Sequence, residues 1–174
     1  SVENSAPATA DPVPLQRFLD TYDVDSLTGL TNRQRTSTSG GALKSEAALE
    51  YARILVRHGI HTIDDARSAL TDLALFKRVE ADLRGVAGDG SHGIRRTYFW
   101  MLVGDDSRVK PDRMVLRWFA SHQLDLEPDQ AARLIARVVE RLNSASGGSR
   151  TTAWEVDHAL WNAGRELPVA RARK

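Results

Sequence analysis

The residues best suited to chemistry lie in one run, GDGSHGIRRTYFWMLVGDDSRVKPDRMV, residues 88–115. Asp112 follows Lys110 and Pro111 and precedes a stretch with helical apolar spacing. A carboxylate at that place has two uses. It can favour the positive end of a helix, worth about 0.3–1 kcal/mol. Or it can face a cleft as a carboxylate presented for chemistry. Upstream, glycines at 85, 88, 90 and 93 permit positive φ and close backbone approach. A helix that starts after Gly93 directs its unpaired N–H groups out of that turn, with Arg95 and Arg96 beside them. Such an end suits a phosphate. The plain alternative is a helix–helix connection carrying surface arginines.

Other chemistries find less in the chain. There are no cysteines, which removes disulfides, thiol nucleophiles, iron–sulfur clusters and cysteine-ligated zinc. His92, His122 and His158 have no metal-ligand spacing. Glu46 and Glu50 share a helix face but lack the Glu-x-x-His partner of a di-metal bundle, so neither metal nor cofactor is expected. Trp100, Trp118, Trp154 and Trp161 have faces that can stack on a base, yet their apolar helical settings fit a core. The net charge is +1, which excludes a globally basic nucleic-acid surface. Within that balance only Lys44, Lys77, Lys110 and Lys174 are lysines, and the other 20 basic residues are arginine. Arg35, Arg95, Arg96, Arg108 and Arg113 are the ones placed to line a phosphate path, through the planar guanidinium fork.

The elements that must hold these residues are helical. Leu15, Phe18, Leu19 and Tyr22 recur at i, i+3, i+4, i+7, and Ala47, Ala48, Tyr51, Ile54 and Leu55 share a face of a helix over 44–58. Between them, residues 23–41 read as a polar, turn-rich connection. Gly59 suits a helix C-cap, and Thr62 with Asp65 resembles a capping box. Apolar residues then continue at three- and four-residue intervals to Leu83. After the glycine turn comes an apolar helix over 94–103 with Gly104 as its C-cap, then Pro111 at the first position of another. A long helix starts at Pro128 and a last one spans about 151–164. No stretch alternates as a strand does. The expectation is an all-α domain of seven or so helices over 13–166, after a flexible leader (1–12) and before a basic tail (167–174). No run is long and apolar enough to span a membrane, and a cytoplasmic protein is expected.

The order of these parts resembles the helix-hairpin-helix (HhH-GPD) DNA glycosylase superfamily, of which endonuclease III is a familiar member. The family places a hairpin before an apolar helix, then a catalytic aspartate in a V-D-x-x-V-x-R pattern. Asp112, Val115 and Arg117 match that pattern. LKSEAALEYARILVRHGI and TAWEVDHALWNAGR look like the family's upstream and late helices, so the resemblance runs over about residues 15–165. The hairpin here is longer than the family's and contains Asp89, and Gly93 or Ile94 stands where the lyase lysine would be. The resemblance therefore implies a divergent, monofunctional member that binds duplex DNA, with Asp112 as the catalytic residue. It also implies DNA contacts from Gly88, Gly90, Gly93, Arg95, Arg96 and Arg113, and from Gln34 as the residue that fills the gap left by a flipped base. The alternative is a non-catalytic DNA-binding or protein-interaction module of the same fold, with Asp112 as a helix cap. The chain does not specify the lesion or the oligomeric state.

Overall fold

The computed structural model describes residues 14–37, 41–90, 92–145 and 150–168. The leader (1–12) and residues 169–174 of the basic tail lie outside them. The described residues form nine α-helices and, beyond one isolated antiparallel bridge between Arg35 and Leu43, no extended pairing. The chain is all-α. Its residues group into two units that divide between Asp89 and Gly90.

The first unit holds α1 (Leu15–Thr21), α2 (Val24–Leu30), α3 (Lys44–Arg57), α4 (Ile63–Thr71) and α5 (Leu73–Arg84). Three of these, α1, α2 and α5, pack on α3. That explains why α3 buries Leu49, Tyr51, Ala52, Ile54 and Leu55 rather than one narrow stripe. The turn-rich reading of residues 23–41 misses α2. Asp23 caps that helix by accepting from Ser26 N–H at 2.8 Å, and the Ser26 hydroxyl accepts from Asp23 N–H in return. Serine thus takes the role that glutamate usually has in a capping box. The apolar spacing through Leu83 is likewise broken in two. Asp72 ends α4 and starts α5, its carboxylate accepting from Ala74 and Leu75 N–H. The Thr62–Asp65 capping box forms as its spacing predicts.

The second unit holds α6 (Ile94–Val103), α7 (Arg113–Ser121), α8 (Pro128–Ala145) and α9 (Ala153–Glu166). Val109, Val115, Phe119, Ala131, Ile135 and Ala153 form a core shared by α7, α8, α9 and the segment before α7. Trp118 and Trp161 pack against that core and Trp100 is fully buried. Trp154 is exposed and stacks on His158 at 5.3 Å. The last helix starts at Ala153, because Thr152 and Glu155 close a capping box there.

The tightest contact in this unit is that of α7 with α9. At Gly164 the carbonyl of Met114 stands where a Cβ would be, with Trp118 Cβ at the edge of the same space. Only a residue without a side chain lets the backbones approach this closely. Gly164→Ala is expected to cost about 1–3 kcal/mol, as overpacked cores do. Gly29→Ala, in α2 with open space around it, should instead add roughly 0.5–1 kcal/mol from chain entropy. Urea unfolding of the two variants checks the contrast; equal shifts would mean that Gly164 is not tightly packed.

Candidate functional site

Asp112 is not inside a helix but at its cap. Pro111 stands outside α7 rather than at its first position, and Asp112 N–H donates to Lys110 O at 2.6 Å. An i to i+2 bond of this kind closes a γ-turn centred on Pro111, whose ring fixes φ near the value such a turn needs. The chain leaves that turn with Asp112 extended, and its Oδ1 accepts from Met114 N–H at 2.8 Å and, at the longer 3.5 Å, from Val115 N–H. The first turn of α7 thereby gains a partner for its free donors.

The other carboxylate oxygen has a different neighbour. Lys110 Nζ lies 3.2 Å from Asp112 Oδ2, and the same ammonium stands 4.0 Å from the centre of the Tyr98 ring. The peptide of Lys110 is held from the opposite direction, its N–H donating to Asp157 Oδ1 at 2.8 Å. Asp157 is buried on the inner face of α9. Burial pushes its carboxyl above the ordinary carboxylate range. The Lys110 N–H pulls it down, the negative Asp112 adds to the rise, and the charges of Lys110 and His158 oppose it.

Asp112 lines an open groove of about 690 Å³ in the second unit, together with Pro111, Arg113, Leu116 and Arg117. Its volume falls in the range of small-molecule sites. A second groove of about 340 Å³ shares Ile94, Pro111 and Pro128 with the first, and brings in His92, Arg108 and Arg133. The two arginines beside Asp112 differ. Arg113 is exposed at the start of α7, whereas Arg117 donates to the carbonyls of Leu167 and Pro168. Arg108 is paired with Asp105 at 2.6 Å.

The remaining predicted residues are distributed over both units. Gly88 ends the first unit's share of the glycine turn, with φ of 81°, while Gly90 and Gly93 open the second with φ of 72° and 58°. Three left-handed glycines in six positions explain the glycine density, although Gly85 is ordinary right-handed backbone. Arg95 is half-buried. Arg96 is buried and its guanidinium lies against Gly93, so it fills the space under the turn instead of facing solvent. Asp89, the acid in the turn, is also buried. Gln34 is in the first unit, where its Oε1 accepts from Lys44 Nζ at 2.6 Å and its carbonyl from Lys44 N–H.

The histidines have structural neighbours: His58 with Asp82 at 2.8 Å, His92 with Asp129 at 3.4 Å, His122 with the Trp118 carbonyl at 2.9 Å. Among the described residues no three His, Asp or Glu side chains converge as a metal site would need, and no helix is long and apolar enough to cross a membrane. Sequence reasoning missed Asp157 and Tyr98 as members of the Asp112 site. Nothing local marks either one: Asp157 meets Lys110 across 47 positions of chain.

The chain belongs to the family described as "Domain of unknown function (DUF8548)", whose model matches residues 2–165 and so spans both units. No curated protein and no solved structure matches it. That family description assigns no chemistry.

One consequence of the site is a pH effect on stability. A carboxyl whose folded pKa is raised binds its proton more tightly in the folded state. Its contribution is therefore lost as pH rises from the unfolded value, about 4, through the folded one. Asp157→Asn removes this titration. The stability of the variant relative to the wild type should grow as pH rises from about 4 and then level off. Urea unfolding at a series of pH values tests it, and parallel curves for the two proteins would rule out a raised Asp157 pKa.

Proposed function

We propose that the chain is a divergent DNA glycosylase-like protein that binds duplex DNA and excises a base by a monofunctional route. The supporting observation is the position of Asp112: a carboxylate held at the start of α7, beside the exposed Arg113, on an open groove large enough for a nucleoside. In this reading the bond between the sugar C1′ and the base nitrogen breaks and its electron pair leaves with the base. Asp112 stabilises the positive charge left on the sugar, and water then adds at C1′ and gives up a proton. Arg113 contributes a guanidinium for a backbone phosphate. The helix-hairpin-helix resemblance of residues 85–119 supplies the substrate class.

A second reading, a non-catalytic DNA-binding or protein-interaction module, is favoured by a specific observation. Both oxygens of Asp112 already have partners, Oδ1 in the cap and Oδ2 at Lys110.

Asp112→Asn separates the two, because asparagine caps a helix about as well as aspartate. Under the first reading the variant folds with near-normal stability, binds duplex DNA as the wild type does, and loses excision by about 10²-fold or more. The assay is formation of abasic sites in duplexes that carry a panel of damaged bases, alongside binding measured at low salt. Excision unchanged in Asp112→Asn would exclude Asp112 as the catalytic group. A folded wild type that binds no duplex DNA at low salt would remove the DNA reading altogether.

A further inference from the structure

Asp157 is the feature of the second unit that packing alone does not explain. It is 5 % exposed, on a helix face whose other buried positions are Ala153 and Gly164. A buried carboxylate is costly unless hydrogen bonds compensate it, and a small apolar residue would suit that face better if filling space were the only requirement. Its hydrogen bond goes to the Lys110 N–H, the entrance to the γ-turn that carries Asp112. The side chain of Lys110 then continues to Asp112 Oδ2.

We infer that Asp157 is a positioning residue for Asp112, acting through Lys110. By anchoring the Lys110 peptide it fixes two things: the turn that delivers Asp112 to the cap of α7, and the base of the side chain whose ammonium meets Asp112 Oδ2. Asp157 itself touches no substrate in this arrangement. The inference rests on the reading of Asp112 as the acid of the groove, and it extends that site to a residue on α9.

The chain from Asp106 to Arg117 lies along α9 with several fixed points. Trp154 N–H donates to Asp106 O at 3.2 Å, Asp157 takes the Lys110 N–H, and Gly164 meets Met114. Asp157 is the fixed point in which a side chain of α9 accepts, and it holds Lys110, two residues before Asp112. A neutral acceptor of the same shape preserves the bond; an apolar side chain does not.

The test uses Asp157→Asn and Asp157→Leu in the full chain, with two measurements. Amide hydrogen exchange at Lys110, followed by NMR, should accelerate about tenfold or more in the leucine variant and stay near wild type in the asparagine variant, with exchange in the middle of α9 unaffected. In the excision assay the leucine variant should lose about 10- to 100-fold in kcat with little change in DNA affinity, and the asparagine variant should recover most of it. If Lys110 exchanges alike in all three proteins, the anchoring is absent and the inference falls. Accelerated exchange with unchanged kcat also overturns it. If neither variant nor wild type excises any base while the exchange contrast appears, the anchoring of the Asp112 turn stands and the catalytic reading of Asp112 is what fails. Should the leucine variant not fold, Asp157→Ala gives the same contrast with less volume change.

Discussion

The contact on which the site depends is the approach of α9 to α7 at Gly164. With no side chain there, the Met114 carbonyl sits directly on the helix. Every other fixed point along α9 presupposes that separation. Were α9 held farther off, Asp157 would no longer reach the Lys110 N–H at 2.8 Å, and Arg117 would no longer span to the carbonyls of Leu167 and Pro168. A methyl group at position 164 would thus act at the site without touching it, because packed interiors transmit displacement and do not absorb it. The glycine, a residue with no chemistry of its own, determines where the chemical groups stand.

That spacing also accounts for the polar character of the site's back wall. A backbone N–H brought against a buried helix face needs an acceptor, since an unpaired buried donor costs about as much as a lost hydrogen bond. Asp157 supplies it for Lys110 and bears the desolvation that raises its pKa. The negative charges of Asp157 and Asp112 then oppose each other, with Lys110 engaged by both: its N–H by one carboxylate, its ammonium by the other. Two acids joined through a single lysine form a coupled unit. Changing any one of them alters the electrostatics of the other two.

The features legible in the sequence are those whose physics acts within four residues. Thr62 with Asp65, Pro128 at the start of α8 and Gly104 at the end of α6 all declare themselves by spacing alone. The elements missed had unusual versions of the same signals. Ser26 replaces the expected glutamate in the capping box of α2, and Asp72 interrupts an apolar rhythm that runs on unbroken on either side. At the site, the cap role of Asp112 and the left-handed glycines at 88, 90 and 93 were readable for the same local reason. The orientation of a side chain was not. Arg95 and Arg96 look equivalent in the sequence, yet Arg96 turns under Gly93 and is buried. Asp157 carries no local signal at all, because its partner is a backbone group far away in the chain and leaves no pattern to detect.

Capping and catalysis need not compete at Asp112, because the cap engages only one of its carboxylate oxygens. Oδ1 carries the cap through the Met114 N–H, and that bond orients the carboxylate without using its outer side. Oδ2 meets an ammonium across 3.2 Å, with both side chains partly open to water. An ion pair of this exposure is worth on the order of 1 kcal/mol. Under the proposed chemistry, breaking it is a small cost compared with the charge stabilisation that a carboxylate offers a developing sugar cation. Lysine is also well suited to let go, as its ammonium is a point charge on a flexible stem that a phosphate can draw aside. The cap fixes where Asp112 points, and Lys110 pairs with its outer oxygen. The first of these roles makes the second possible.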